Sequence, residues 1–227
     1  MLEEYKYKTE LHAHTSPVSM CSEISPEEMV RVYCESGYKS VTITNHFMYD
    51  EQNTEEKVTA YLKDFHKAAE LGKKAGLNVI LGAEIRFSEN VNDYLVYGIS
   101  EEDLYEINSY LDFGIDNFYK KFKNDKNIIL QAHPFRDNMS LANPQSLDGI
   151  EVFNMHPGHN SRIALAARYA REHNMLISAG SDFHHPTQHA LCSIMTKEPL
   201  ENSYELAKVL KNRDFVIDVS GYKIIPE

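Results

Sequence analysis

Histidines and carboxylates recur along this chain of 227 residues in positions where they could bind metal ions. His12 and His14 stand two residues apart, and residues with that spacing on a β-strand point to the same side. Asp182 and His184 repeat the spacing near the other end of the chain. Imidazole nitrogens and carboxylate oxygens suit Zn, Mn and Fe, whereas so many imidazoles argue against Ca. The two pairs therefore indicate a centre for one or more of these metals.

A single His-x-His pair is a weak signal, because two ordinary surface or core histidines produce it as readily. The prediction depends on a larger set of ligand types, in which Glu84 has two oxygens and is the natural bridge between metals. A catalytic Zn usually takes three protein ligands, so a set of this size predicts at least two metals. Two metals about 3.5–4 Å apart can bind the attacking and leaving oxygens of a phosphoryl transfer. The predicted ligands are His12, His14, His46, Glu84, His133, Asp182 and His184.

Short β-rich runs alternate with helical patterns along most of the chain. Such alternation predicts parallel βαβ units, and near-continuously apolar runs such as VILGAEI suit a sheet that is buried on both faces. The predicted strands are 8–14, 40–46, 78–84, 93–99, 127–133, 149–154, 175–180, 192–196 and 215–220. The predicted helices are 25–36, 54–74, 101–123, 161–173 and 203–212.

The candidate ligands fall at the C-terminal ends of several of these strands. An α/β barrel and a doubly wound open sheet both satisfy the alternation of strands and helices. In a barrel, the active site lies at this rim and draws on several strands, whereas an open sheet gathers such residues near one switch point. The pattern therefore favours an α/β barrel, formed as a single domain by residues 1–227.

Composition limits the classes of partner. Hydrophobic residues make up 42% of the chain and charged residues 25%, which is typical of a globular protein. The net charge of −11, with no basic stretch, argues against nucleic acid as a partner. A small phosphorylated substrate stays compatible, because bound cations can invert the local field.

Three widely spaced cysteines and the absence of a long apolar run indicate no disulfide framework and no membrane partner. Because no apolar signal core precedes the first strand, we expect a cytoplasmic location. The sequence leaves the oligomeric state open.

The series LHAHT, ITNHF, GAEI, AHPFR, GIEVFN and GSDFH, in this order from about residue 9 to 190, resembles the polymerase and histidinol phosphatase (PHP) domain family. The resemblance implies a distorted (β/α)7-type barrel with two or three divalent metal ions. It also implies that His12, His14 and Asp182 bind a first metal, that Glu84 bridges it to a second held by His133, and that His46 and His184 hold a third.

Two positions depart from the family's pattern. Many members have an Asp or His ligand of the third metal soon after His-x-His, where this chain reads SPVSMCS and offers Ser19 or Cys21. Cys21 could bind a soft metal as thiolate or be a buried structural cysteine, and we expect water and substrate to complete this site. Where the family often has a further His, Asp93 is an alternative oxygen ligand or an exposed residue at a strand start. Glu151 is expected to orient a ligand histidine.

Further residues could act on a substrate at the rim. The guanidinium of Arg136 could take two phosphate oxygens in a fork, or it could be solvated in a loop. His156 and His159 could shape the substrate pocket or act as an acid, with a simple polar loop as the alternative. Asp182, His184 and Arg136 are the predicted catalytic residues.

The predicted function is hydrolysis of phosphate esters of a small metabolite by a metal-activated water in a two- or three-metal site. One alternative is an amidohydrolase-type C–N hydrolase, since that superfamily also begins with His-x-His on a first strand. The other is a non-catalytic metal-binding PHP module. The Gly-Ser-Asp-x-His ending favours the phosphoesterase, and the nearly complete ligand set argues against the non-catalytic module.

Overall fold

The computed structural model describes residues 2–226, which form a mixed α/β fold. The strands are β1 (Tyr7–Ala13), β2 (Ser40–Ile43), β3 (His46–Met48), β4 (Asn78–Leu81), β5 (Ala83–Arg86), β6 (Asp93–Tyr97), β7 (Ile128–Gln131), β8 (Gly149–Asn154), β9 (Leu176–Gly180), β10 (Cys192–Thr196), β11 (Val216–Val219) and β12 (Tyr222–Ile224). The α-helices are α1 (Pro26–Glu35), α2 (Thr54–Ala75), α3 (Asp103–Tyr110), α4 (Gly114–Phe122), α5 (Ile163–Glu172) and α6 (Ser203–Asn212).

Local sequence signals explain where the first two helices begin and end. The Ser25 side chain accepts a hydrogen bond from Glu28 N, and proline occupies the first turn of α1. The Asn53 side chain caps α2, and Gly76 ends this helix in the left-handed region at φ 78°. The helices predicted at these positions are confirmed.

The strands form two sheets of six, with the orders β12-β11-β10-β1-β2-β4 and β3-β5-β6-β7-β8-β9. Two predicted strands contribute to both sheets, because a short break divides each of them: β2 continues as β3, and β4 continues as β5. Across these breaks the neighbouring chains stay hydrogen-bonded, from Gly82 N to Ile43 O at 2.9 Å and from Glu84 N to Asn45 O at 3.2 Å. The two sheets therefore meet along this line.

The sheets meet again beyond the C-terminal ends of β1 and β9. Ala13 forms a parallel bridge with Phe183. His14 N donates to Phe183 O at 3.0 Å, and Phe183 N donates to His12 O at 3.2 Å. With both meeting lines in place, the sheets have the distorted, barrel-like α/β arrangement that the sequence predicts.

The predicted parallel βαβ units do not include β6 and β10. β6 runs antiparallel to β5 and β7, and β10 runs antiparallel to β1 and β11. The connection from β5 to β6 covers only residues 87–92, whereas a parallel crossover needs about a dozen residues or more. As a result, Asp93 begins its strand at the rim where the neighbouring parallel strands end.

Two further elements differ from the prediction. The single helix predicted over 101–123 is two helices, and Gly114 begins the second at φ 75°, in the left-handed region that favours glycine. The strand predicted at 215–220 turns back at Gly221 and continues as β12. Neither change affects the rim that carries the candidate ligands.

The core fills the space between the sheets and the helices. β6 is buried on both faces, since Tyr94, Leu95, Val96 and Tyr97 are each 0% exposed. This burial explains why its sequence is nearly continuous in apolar residues. Within residues 2–226, none of the helices combines the length and the apolar character needed to cross a membrane.

Close packing between β8 and β9 gives a test of this fold. A Cβ added at Gly149 would lie 2.1 Å from Leu176 O, a backbone atom that cannot move aside alone. Gly149→Ala should therefore lower the free energy of unfolding in urea by about 1–3 kcal/mol.

Ser178→Ala in β9 is the matched control. The Ser178 hydroxyl is buried without a hydrogen-bond partner among the described residues, so its removal should cost little. Equal stability of the two variants would contradict the packing of β8 against β9.

Candidate metal centre

The predicted ligands converge at one end of the barrel. His12 and His14 come from β1, His46 begins β3, and Glu84 lies in β5. The remaining ligands follow the ends of β7 and β9. Five of the seven are almost fully buried, namely His12 at 0%, His14 at 0%, Glu84 at 1%, His133 at 2% and Asp182 at 2% exposed, while His46 and His184 face a cavity.

Glu84 lies at the centre of this group. Its Oε1 is 3.1 Å from His133 Nε2 and 3.3 Å from His12 Nε2. Its Oε2 is 2.8 Å from His46 Nδ1 and 3.4 Å from His14 Nε2. Ligand atoms that share a tetrahedral metal with bonds of about 2.1 Å lie about 3.4 Å apart. The spacing therefore suits a carboxylate that bridges two metal ions.

Asp182 provides a second shared carboxylate. Its Oδ1 is 3.5 Å from both His12 Nε2 and His14 Nε2, and 3.2 Å from His184 Nδ1. The first-metal set that the family resemblance implies is thus within reach of one ion. Because His184 joins the same oxygen, the sites predicted for the first and third metals adjoin each other.

Several of these atoms lack a hydrogen-bond partner among the described residues although they are buried. They include His12 Nε2, His14 Nε2 and Glu84 Oε2. Buried polar atoms are almost always satisfied, so an unpartnered cluster needs an explanation. Divalent metal ions fit, because the ligand atoms of several triplets lie within 4.8 Å of one another. These triplets are His14–His46–His184, His12–His14–Glu84, His12–His133–Asp182 and His46–Glu84–Asp93.

Glu151 and Asn154 of β8 form hydrogen bonds with the candidate ligands. Glu151 Oε1 is 2.8 Å from His12 Nδ1, which leaves Nε2 of that ring directed to the centre. Glu151 Oε2 accepts from His133 N at 3.1 Å and from Asn154 Nδ2 at 2.9 Å. Asn154 also donates to Asp182 Oδ2 at 3.1 Å. The sequence pattern predicts an orienting role for Glu151 but none for Asn154.

Ser19 has a similar relation to His14. Its hydroxyl is 3.1 Å from His14 Nδ1, donates to Asn45 Oδ1 at 3.0 Å and accepts from His46 N at 3.0 Å. Ser19 therefore contacts the ligand histidines and fixes the His14 ring. An Asn directly before a candidate His, as in ITNH, is a signal that could have revealed Asn45.

Cys21 is exposed and lies on the cavity wall beside His46 and His184. Burial tends to raise the pKa of the thiol, but hydrogen bonds from His184 and His46 outweigh it and lower this pKa to about 6. Because Cys21 is exposed, the alternative of a buried structural cysteine is wrong.

Asp93 is buried at 2% exposure, so the alternative of an exposed strand-start residue is wrong. Arg86 holds it in a fork, with Nε 2.7 Å from Oδ1 and Nη2 2.8 Å from Oδ2. Asp93 Oδ2 is 3.9 Å from His133 Nε2. Burial and the negative charge of Glu84 raise the pKa of Asp93 although Arg86 opposes them. Asp93 is thus at the edge of the centre, with Arg86 as its main partner.

Two candidate ligands have strained backbones. His133 has φ 28° and Asp182 has φ 52°, in a region that non-glycine residues rarely adopt. Such conformations cost about 1–3 kcal/mol each and cluster at functional sites. The surrounding hydrogen bonds must therefore hold both residues in place.

The charges of the metal-free centre are strongly coupled. Burial opposes protonation of His46 and His184, but Glu84 beside the first and Asp182 beside the second raise both pKa values to about 10. Burial likewise opposes ionisation of Glu84 and Asp182, but His12 and the other imidazoles hold both pKa values well below the usual range. Without metal, His46 and His184 therefore retain their protons at neutral pH, whereas burial and the neighbouring imidazoles lower the pKa of His14 well below its usual value.

A cavity of about 810 Å³ opens above the ligands. Arg136 lines it, with Nη1 3.9 Å from Asp182 Oδ2, so it is not simply solvated. The rings of His156 and His159 lie 4.3 Å apart on the same wall. Burial lowers the pKa of His156 to about 4, and burial also lowers that of His159. Both rim imidazoles are therefore neutral at neutral pH.

Comparison with known proteins shows the family. The model of the PHP domain matches residues 10–220. Over 103 residues the chain is 30% identical to a PolC-type DNA polymerase III from Oceanobacillus iheyensis. That match covers 45% of this chain but only 6% of the polymerase, so the chain spans a small part of that relative.

Three solved structures share the fold. A two-domain protein from Bacteroides vulgatus that contains a predicted PHP-like metal-dependent phosphoesterase matches with a TM-score of 0.70 and 19% identity, over 96% of this chain and 66% of that chain. PsfC from Pseudomonas syringae matches with a TM-score of 0.64 and 14% identity, over 88% and 86% of the two chains. An amidohydrolase from Chromobacterium violaceum matches with a TM-score of 0.52 and 14% identity, over 79% and 88%.

At these identities the structural matches show the fold alone, and that fold includes both a predicted phosphoesterase and an amidohydrolase. The match to the family model extends over most of the chain and includes every candidate ligand. This chain belongs to the PHP domain family.

Proposed function

We propose that this protein hydrolyses phosphate esters of a small metabolite at a centre of two or three divalent metal ions. The observation that carries the proposal is the position of Glu84. Both of its oxygens lie within 3.4 Å of imidazole nitrogens, on two sides of one buried carboxylate. A shared carboxylate between two sets of neutral ligands is what adjacent metal ions require.

The ligand types suit Zn, Mn or Fe. When bound, such metals lower the pKa of water and stabilise negative charge on phosphoryl oxygens. We assign the first site to His12, His14, Asp182 and Glu84, the second to Glu84 and His133, and the third to His46 and His184. Asp93 and Cys21 lie at the edges of the second and third sites, and we expect water and substrate to complete the third.

Arg136 is placed to bind the substrate's phosphate. Its guanidinium is beyond hydrogen-bond distance of Asp182, at 3.9 Å, and its side chain is 27% exposed to the cavity. Planar N–H donors in this position match the oxygens of a phosphate group. Binding there would hold the phosphorus against Asp182 and the other ligands, which orients it for attack by water.

His156 and His159 are the candidates for contact with the leaving oxygen. Each is neutral in the absence of substrate, and a neutral imidazole can donate one N–H. A bound phosphate dianion raises the pKa of a nearby imidazole. Substrate binding would thus bring a rim histidine closer to the state in which it protonates the leaving group.

The side chains that line the cavity favour this reaction over the amidohydrolase alternative. That superfamily usually has a metal-binding lysine, and the lysine that lines this cavity is Lys57. Its ammonium donates to Met48 O and lies 3.3 Å from Asp50 Oδ2, which directs it away from the ligands. The guanidinium of Arg136 and the two rim imidazoles give this cavity hydrogen-bond donors for an anionic substrate.

The function is tested by metal analysis of the purified protein, together with assays of phosphate release. Sugar, nucleotide and amino-alcohol phosphates should be compared with amide substrates under the same metal conditions. Release of phosphate from at least one small ester supports the proposal. Turnover of amides without any phosphate release would overturn it.

Glu84→Gln should lose metal and activity together, because a neutral amide is a poor bridge. We expect activity to fall by more than about 100-fold, since even residues that only orient ligands contribute 10–100-fold. Metal content per chain and the rate of phosphate release are the measurements.

Asp218→Asn is the matched control for Glu84→Gln, since Asp218 is a buried carboxylate in β11 at 6% exposure. It should keep its metal and its activity. Full metal occupancy and normal turnover in Glu84→Gln would contradict the proposal that Glu84 bridges two metals.

Arg136→Ala should lower kcat/KM for the phosphate ester by about 100-fold or more, because one well-placed donor contributes this much. Metal content should stay unchanged, since Arg136 is not a ligand. Arg168→Ala on α5 is the control, with a side chain that is 71% exposed. If kcat/KM changed by less than about twofold in Arg136→Ala, the guanidinium would not bind the phosphate and would simply be solvated.

Metal affinity should rise with pH. The pKa values of His46 and His184 are raised to about 10 in the metal-free centre, so protons compete with metal at every pH below that value. Each proton displaced should change the affinity by up to about tenfold per pH unit between pH 6 and 9.

The measurement for this pH dependence is competition with a chelator of known affinity. Protonation of His46 and His184 also stabilises the metal-free fold, because their pKa values are raised above those of the unfolded chain. This contribution to the free energy of unfolding is lost as the pH rises through the raised values of about 10. His46→Gln should show a shallower slope. An affinity that does not vary with pH would mean that the imidazoles are already deprotonated.

A further inference from the structure

Glu10 is a carboxylate on β1 that is 0% exposed and is not one of the candidate ligands. Its Oε1 accepts hydrogen bonds from Leu11 N at 3.0 Å, His12 N at 3.0 Å and Ser181 N at 2.9 Å. Its Oε2 accepts from Ser181 Oγ at 2.5 Å and from Tyr33 Oη at 2.9 Å. One buried side chain therefore joins residues that are 171 positions apart in the sequence.

The carboxylate lies where β1 changes its partner. Up to Thr9, β1 pairs with β10. From His12 onwards it pairs with Phe183, which donates to His12 O and accepts from His14 N. Between these two pairings, Glu10 Oε1 accepts from backbone N–H groups on both sides, as a strand carbonyl would. Glu10 thus lies at the point where the two sheets separate along β1.

A candidate ligand lies on both sides of this point. His12 lies two residues after Glu10, and Asp182 directly follows Ser181. A Cβ added at Gly180 would be 2.4 Å from His12 Cβ, so the two backbones pass close to each other here. Asp182 has the strained φ of 52°, and Glu10 binds the amide and hydroxyl of the residue before it.

We propose that Glu10 is a positioning residue that sets the distance between His12 and Asp182 and thereby tunes the affinity of the centre for metal. This inference rests on the proposed metal centre, since it concerns how that centre is held. An amide in place of the carboxylate leaves one acceptor oxygen for five donors, so part of this set loses its acceptor and the Ser181–Asp182 turn is free to relax. Residues that orient ligands typically contribute 10–100-fold to metal affinity.

If Glu10 were purely structural, its replacement would lower the free energy of unfolding and leave the affinity for metal unchanged. Asp148 is the matched comparison. It accepts from Ile129 N at 2.8 Å and Tyr119 Oη at 3.2 Å, and Lys123 Nζ is 3.3 Å away. It precedes β8 at the end opposite the rim. The same types of donor therefore surround a carboxylate that is remote from the ligands.

The experiment compares Glu10→Gln with Asp148→Asn. Urea unfolding of the metal-free proteins measures stability, and competition with a chromophoric chelator measures affinity for Zn and Mn. Both variants should lose stability, but only Glu10→Gln should lose metal affinity, by about 10–100-fold. The visible absorption of bound cobalt should also change in Glu10→Gln alone. Affinity within about twofold of the parent, or an equal loss in Asp148→Asn, would overturn the proposal.

A milder pair covers the case in which Glu10→Gln does not fold. Tyr33→Phe removes one donor to Glu10, and Tyr119→Phe removes the equivalent donor to Asp148. Tyr33→Phe should weaken metal binding at least about threefold, and Tyr119→Phe should not. No difference between these folded variants would overturn the role of Glu10.

The outcome for Glu10 is independent of the reaction. A protein that binds metal but releases no phosphate from any ester would contradict the proposed function, while the affinity comparison would still decide the positioning role. Active protein with metal affinity indifferent to Glu10→Gln would contradict only the positioning role.

Discussion

A carboxylate that is 1% exposed cannot stay ionised unless positive charge lies against it, and this constraint at Glu84 shapes the rim of the barrel. The imidazoles of His12, His14, His46 and His133 all lie within 3.4 Å of its oxygens. They come from three different strand positions. The barrel must therefore bring distant parts of the chain to one point before the charge of Glu84 is compensated.

The breaks between β2 and β3 and between β4 and β5 help to bring these residues together. Because β2 and β4 each stop and restart, β3 and β5 form a parallel pair in which His46 stands directly beside Glu84. On the opposite side, the change of partner along β1 allows His12 and His14 to face Asp182. Regular, unbroken strands would carry the same residues but would not direct all of them to one centre.

Much of this arrangement could be predicted from the sequence, because ligand types at successive strand ends leave a periodic signal. The cap of α1 at Ser25 and the ligand pair on β1 are local patterns of this kind. The direction of β6 is also local in principle, since its short connection forbids a crossover, but the alternation of strands and helices along the rest of the chain indicated parallel units. The direction of β6 decides whether Asp93 lies at the rim with the candidate ligands or at the opposite end of the barrel.

The remaining features depend on pairs that are far apart in sequence. Asn154 contacts Asp182, and Glu10 contacts Ser181, through hydrogen bonds that no spacing rule encodes. Arg86 pairs with Asp93 across a turn, which is closer, but an Arg and an Asp seven residues apart are common in any protein. Polar residues that hold ligands in place are therefore harder to recognise from sequence than the ligands.

The unpartnered atoms at the centre also affect how long the protein persists in the cell. Strained residues and buried nitrogens without partners lower the stability of the metal-free form, whereas an ion that binds only the folded chain adds about 2.7 kcal/mol at 100 times its dissociation constant. Differences of this size change the fraction of unfolded chains that proteases remove. If the centre takes up metal as proposed, a shortage of the metal would reduce the abundance of this protein as well as its occupancy.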